Sequence, residues 1–489
     1  MAILPPPEAR TKPKPRGNLD ISKLIEGRYG TEEMGDTFGP EQTFASILKV
    51  QGISAKVLSD LYPDVVPPED AVVLVETANL HHINPARIRE IEAKGGHDVI
   101  AINTAWEEVV AERRPLATAH INKIRTSADS TEAAKALQIK RGLEVIADST
   151  ENLRDIVLER ALEWDSVSHM DQTHLYDAIP TVAGRPFAHY AEMLQSGLDV
   201  LKFFHDYSTV GKWSDVTGNF HSAVDMEMDG RKIENEFCNR LGIRHMKASA
   251  QVPGREYVMD IFYSLARIGE TVANLAHYMR TGRGDDVDVF RFPRGRKGSS
   301  GMPHKDRKGG NPAAEEQGES IDGLLRGLMV TAQSTSRMDY ARDLSGSASD
   351  RIALSIGFKV LDHTLRGIAE VVYKLQLNEE RCKERVNRSY GVVTSPRFLA
   401  YLTDTRRTSD AMPRSVAHDL LGILSAQAYD QKKPFGEILL EAEEVCKRIP
   451  REQILGMADP TNYIGQSREI IHDVYDSFHG RRTFPEAAV

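Results

Sequence analysis

Cysteine is scarce. The three present (Cys238, Cys382, Cys446) are widely spaced and form no CxxC pair. So odd and scattered a set argues against a disulfide framework and fits a reducing cytoplasm. Aromatic residues are only 7% of the chain, too few for base-stacking platforms to dominate its surface. A basic excess is also missing. The formal net charge is −9, which argues against nucleic acid as a non-specific partner, although a small basic pocket for an anionic metabolite is compatible with it. No run approaches the roughly 18 apolar residues of a membrane span, so no membrane partner is expected. The opening MAILPPPEARTKPKPRG has too few apolar residues before its prolines for a signal peptide. Its prolines, with Arg10, Lys12, Lys14 and Arg16, read as an extended, disordered or partner-draping arm over residues 1–17. A plain tail is the alternative. There is no HExxH and no other close histidine pair of metal-binding spacing, and no Walker A order. No metal and no cofactor are expected.

What the chain has is long helical periodicity. Ile139, Leu143, Ile146, Leu153, Val157 and Ala161 form one apolar stripe. Val258, Phe262, Leu265, Val272, Ala276 and Met279 form a second, and Leu354, Phe358, Leu361, Leu365, Ile368 and Val372 a third. Each covers about 20 residues without an internal proline, beyond the mean helix of roughly 11–12 residues. Helices of this length bury their seams against one another as a bundle. No run of alternating strands and no βαβ unit is visible. At 489 residues the chain is too long for one core. The reading is a mostly helical part over 1–125, a central bundle over 126–377 and a smaller helical part over 378–489. Two stretches break the helical pattern. One is 171–186, with Pro180, Gly184 and Pro186; the other is a catalytic-loop candidate at about 291–312, rich in glycine and cations.

Within that loop, Gly295 to Pro312 holds Ser299, Ser300 and Met302 among Arg294, Arg296, Lys297, Lys305, Arg307 and Lys308. Glycine allows backbone N–H groups to approach an anion and a loop to close, and the cations suit carboxylates. A solvated basic surface loop is the plain alternative. In the other break, Thr173-His174 offers a histidine that can act as a general acid, against the commoner structural histidine. Gly96-His97-Asp98 reads more simply as a buried capping pair.

Taken in order, TSADS (126–130), THLYDAIPTVAG (173–184), GKWSDVTGNF (211–220) and GSSGMPHKDRKGGNP (298–312) resemble the segments of the aspartase/fumarase superfamily. GRYGTEEM (27–34), GHDVIA (96–101) and RDLSGSASDR (342–351) are similar to the adenylosuccinate-lyase branch. The resemblance covers most of the chain. It implies an all-α, three-domain subunit whose central long-helix bundle builds the multi-helix core of a homotetramer, with composite sites drawn from three subunits. It implies β-elimination from a substituted succinate, releasing fumarate. Ser299 corresponds to the base and His174 to the general acid. Lys305 and Asn311 would stabilise the aci-carboxylate in an oxyanion-hole role. Thr126 and Ser127 would bind a substrate carboxylate. Gln251, Arg28, Tyr29, Arg342, Ser347 and Arg351 fall where that branch grips its anionic substrate. Asn122, Arg125, His97, Thr173, Ser300 and Met302 complete the expected substrate-binding set.

Four departures stand out. Asn122 replaces a histidine expected four residues before Thr126, Gly96 replaces the first histidine of an HHDV segment, and Ala341 replaces a glutamate before Arg342. About four extra residues, Asp306 to Gly309, separate Lys305 from Asn311. All fall on the leaving-group side. With the added cations Lys123, Arg125 and Arg307 they favour a small, highly anionic substrate. The first reading is therefore a nitrosuccinate lyase giving nitrite and fumarate, and the alternative is adenylosuccinate lyase. A carboxymuconate cycloisomerase and a silent helical scaffold rank below both, because Ser299, His174 and Lys305 are all kept.

Overall fold

The structure is a computed structural model that describes residues 4–5, 11–12, 27–95, 97–293 and 299–484, without the side chains of 307 and 308. Most of the N-terminal arm, Gly96 and the loop residues Arg294, Gly295, Arg296, Lys297 and Gly298 lie outside the described residues, as do the side chains of Arg307 and Lys308.

Six helices carry the architecture: α1 (Pro40–Leu61), α2 (Ser127–Glu163), α3 (Arg185–Ser208), α4 (Glu256–Arg283), α5 (Ala313–Ser334) and α6 (Ser347–Lys374), with a short α7 (Glu379–Asn387) following. Every residue of the three apolar stripes is buried on α2, α4 or α6. The helix interiors hold good helix formers and no proline, so packing of these seams rather than propensity sets their length. Around the bundle α2 packs on α3, α3 on α4, α4 on α5, α5 on α6, and α6 closes back on α2. Gly142 makes the last contact possible. A Cβ there would lie 2.9 Å from both Phe358 and Phe38, closer than carbon atoms pack.

A second core gathers α1 and the helices of 68–113 around Trp106, and takes in Trp213, Phe237 and Cys238 from further along the chain. A third, around Phe398, Leu421 and Phe435, is formed entirely by residues 398–458. Helix accounts for 66% and strand for 5%, so the class is all-α. No helix among the described residues is long and apolar enough to cross a membrane.

The 171–186 break is more ordered than the sequence suggests. Ser168–Thr173 (β1) pairs antiparallel with Tyr176–Val182 (β2). Two short two-stranded ladders join Val210–Gly211 (β3) to Arg244–His245 (β4) and Phe290–Arg291 (β5) to Gln376–Leu377 (β6). The last lies at the foot of the glycine-rich loop, tying its start to the end of α6.

Candidate active site

His174 occupies the tip of the β1–β2 hairpin rather than an irregular loop. His174 and Leu175 have φ of 54° and 67° between the paired Thr173 and Tyr176, the signature of a tight two-residue hairpin turn. Thr173 and His174 are exposed there, projecting beyond the body of the chain. The hairpin is anchored at its base. Arg388, just past α7, donates two hydrogen bonds of 2.7 Å to Asp177. Beneath the hairpin His169 is buried beside the Cys382 thiol, and burial holds its imidazole down to about 4, so it stays neutral.

The serine loop folds back on itself from Ser299 onward. The Ser299 hydroxyl accepts a hydrogen bond of 3.1 Å from the Met302 N–H. Lys305 N–H donates to the Met302 carbonyl, and Gly310 N–H to the Lys305 carbonyl, both at 3.1 Å. The Lys305 ammonium reaches the Asn311 side-chain oxygen at 3.2 Å. The extra residues Asp306 to Gly309 belong to a single 3₁₀ segment, Pro303–Lys308, and its cap. Ser299 and Lys305 are half-buried, while Ser300, Met302 and Asn311 are exposed. An N–H aimed at a serine oxygen favours the ionised hydroxyl.

Thr126 caps α2 and Ser127 opens it. This corner rests on a buried ion pair that the sequence reading did not single out. Asp129, fully buried, accepts from Thr126 N–H and Ser214 N–H at 2.9 Å each and pairs with the fully buried Lys212 ammonium. The TSADS and GKWSD segments are thereby welded together. Just before the cap, Asn122 and Ile124 both have φ of 50°, a conformation costly for the β-branched isoleucine. Asn122 donates to the Arg125 carbonyl at 3.4 Å. Arg125 reaches Ser130 at 3.3 Å, and burial pulls its guanidinium down to about 10.

Three of the remaining anion-binding candidates meet at a pocket of about 430 Å³ between α1, α2 and the start of α6. Arg342, Ser347 and Arg351 line it with Lys135 and Arg255, which belong to no motif, and with the carboxylates of Glu92, Asp98, Glu132 and Asp350. Arg342 donates to Gln251 at 3.0 Å and makes no ion pair among the described residues. Arg351 lies 3.5 Å from Asp98. His97 is the N-cap of the helix Asp98–Arg113, with its Nδ1 2.8 Å from Asp98. His97 holds the N-cap position without a side-chain capping hydrogen bond, and with 53% of its side chain exposed it is not buried, unlike the expected buried capping pair. Arg28 and Tyr29 sit in the turn before the first helix. Arg28 is exposed, and Tyr29 packs edge-on to His363 with ring centroids 6.0 Å apart. No residue of this turn lines the pocket.

Within one chain, then, the candidates fall into separate groups: the hairpin tip, the serine loop, the α2 cap, the arginine pocket and the Arg28–Tyr29 turn. No hydrogen bond or ion pair joins His174 to Ser299, Lys305 or Asn311 among the described residues. No group of three or more His, Cys, Asp or Glu gathers to hold a metal among the described residues.

The all-helical bundle with this serine loop defines a lyase, and the model of the lyase family matches residues 69–323, just over half of the chain. The chain belongs to that family; it is an enzyme of the aspartase/fumarase superfamily, in its adenylosuccinate-lyase-like branch. It is 29% identical over 461 residues to the adenylosuccinate lyase of Methanocaldococcus jannaschii, covering 94% of this chain and 96% of that one. It is likewise 29% identical over 439 residues to the adenylosuccinate lyase of Bacillus subtilis, covering 89% and 96%. Among solved structures, a fumarate lyase from Mesorhizobium sp. BNC1 matches with a TM-score of 0.78 at 18% identity, over 93% of this chain and 99% of that one. A 3-carboxy-cis,cis-muconate lactonizing enzyme from Pseudomonas putida matches with a TM-score of 0.78 at 16% identity, over 93% and 98%. These two likenesses establish the fold alone.

Proposed function

We propose that the enzyme cleaves adenylosuccinate to AMP and fumarate. This reverses the order of the two substrates drawn from the sequence. The departures around Asn122 favoured nitrosuccinate, but the curated relatives are adenylosuccinate lyases, and the pocket suits a larger substrate. The observation that carries the reading is the convergence of Arg342, Ser347 and Arg351 at the N-terminus of the 28-residue helix α6. A helix dipole and two guanidinium groups form a site for a phosphate. A nitro group would leave it empty.

In this reading Ser299, as an alkoxide favoured by the Met302 N–H, takes the proton from the succinyl Cβ. The electron pair moves into the adjoining carboxylate, whose added charge Lys305 and Asn311 stabilise. As the Cα–N bond breaks, fumarate forms and His174 gives its proton to the departing nitrogen of AMP. Thr126 and Ser127, held by the Asp129–Lys212 pair, bind a carboxylate. No hydrogen bond joins hairpin tip and serine loop among the described residues, which supports drawing them from different subunits of a homotetramer. The outer face of α5 supports such an assembly: it buries only Glu315, Gly318, Leu325 and Ala332 of its 22 residues and exposes Leu324 and Val330. Three free thiols fit a reducing, cytoplasmic setting.

The test is to offer adenylosuccinate and nitrosuccinate separately and follow fumarate and nitrite. Turnover of the nucleotide is expected. Release of nitrite with no nucleotide turnover restores the nitrosuccinate reading. Arg351→Ala is expected to raise KM for adenylosuccinate about tenfold or more, the worth of one charge-assisted contact, in steady-state kinetics.

A further inference from the structure

Arg283, the last residue of α4, belongs to none of the motifs, yet it holds both flanks of the serine loop. Its guanidinium carbon lies 4.7 Å from the ring centroid of Phe292, just after β5. One of its nitrogens donates to the Gly310 carbonyl at 3.2 Å, and another makes a buried ion pair with Glu315 in the first turn of α5. Gly309 closes the arrangement. Its φ is 79°, and a Cβ there would sit 2.2 Å from the Phe292 Cβ, so the two flanks touch where only glycine fits. From Gly310 the hydrogen bonds run on through the Lys305 and Met302 carbonyls to the Ser299 hydroxyl. Arginine alone supplies a planar fork for the carboxylate and the carbonyl together with a flat face for the ring.

We infer that Arg283 is a positioning residue, which sets where Lys305, Asn311 and Ser299 stand relative to the developing negative charge. It touches no substrate and acts through the loop. The inference rests on the elimination chemistry proposed above, in which those three residues serve the aci-carboxylate.

The experiment compares Arg283→Gln, Arg283→Lys and Phe292→Leu with the wild-type enzyme. Measured are kcat, KM and inhibition by 3-nitropropionate as its nitronate, whose two anionic oxygens on a planar centre mimic those of the aci-carboxylate. For Arg283→Gln, kcat and nitronate affinity are expected to fall together by about tenfold to a hundredfold, as for a misplaced reactive group, while KM stays within about threefold. Arg283→Lys recovers part of the loss, and Phe292→Leu, which removes only the stacking, shows a smaller loss in the same two quantities. These last two carry the test if the glutamine variant does not fold. A purely structural arginine would lower the melting temperature with kcat and nitronate affinity unchanged, and that result overturns the inference. Ser299→Ala is assayed alongside. Should it retain full turnover, the elimination reading falls and takes this inference with it. Should it be inactive while the Arg283 variants keep wild-type kcat, the positioning role alone is wrong.

Discussion

Replacing Ser299 with alanine is expected to lower kcat by about 10³-fold, within the range contributed by a positioned general base. The hydroxyl is half-buried, and among the described residues its hydrogen bond comes from Met302 N–H, a group beside the exposed Met302 side chain that water can serve instead. Little folding energy is at stake, so far-UV circular dichroism and the thermal midpoint stay as they were. Water cannot replace the base itself. It lacks the fixed direction toward Cβ and the N–H that favours the ionised oxygen. Fumarate formation measured at saturating substrate gives the answer, and a rate within tenfold of wild type would place the base elsewhere.

The second large effect is on stability. Lys212→Met leaves Asp129 fully buried, with two backbone N–H groups but without its ion-pair partner. Removing one partner of a buried ion pair costs about 3–5 kcal/mol. Methionine fills most of the space, so the loss is electrostatic rather than a cavity. The double replacement Lys212→Met with Asp129→Leu is expected to regain part of it. The recovery is incomplete, because Thr126 N–H and Ser214 N–H lose their acceptor. Urea unfolding measures both, and a cost under about 1 kcal/mol for the single variant would show that the pair is not a keystone of the cap. Because Asp129 anchors Thr126, activity should fall as well, even at temperatures where the variant stays folded.

Legibility in the sequence followed physical range. The three apolar stripes are local and repeated, and every residue in them is buried on α2, α4 or α6. The hairpin of 168–182 escaped notice because its strands are short, Pro180 interrupts one of them and its tip is polar. Its turn depends on positive φ at His174 and Leu175, residues that carry no glycine signal. The serine, histidine and threonine segments were readable as motifs, since each is a contiguous string. Pairings that cross long separations were not. Lys212 with Asp129 joins two motifs each noticed for other residues, and Arg283 with Phe292 and Glu315 involves an ordinary helix-end arginine. The relatives favour the alternative substrate over the first reading. The departures around Asn122 lie together on the leaving-group side, while Arg342, Ser347 and Arg351 line one pocket at the start of α6.

The central claim is that Ser299 and His174 serve one reaction from different subunits, and subunit complementation tests it most directly. Ser299→Ala and His174→Ala chains, each inactive or nearly so alone, are co-expressed with separate tags and purified through both. If the sites are shared, random assembly leaves about one site in four with both groups intact, and turnover returns to roughly a quarter of wild type. Mixed particles no more active than either parent would contradict the account.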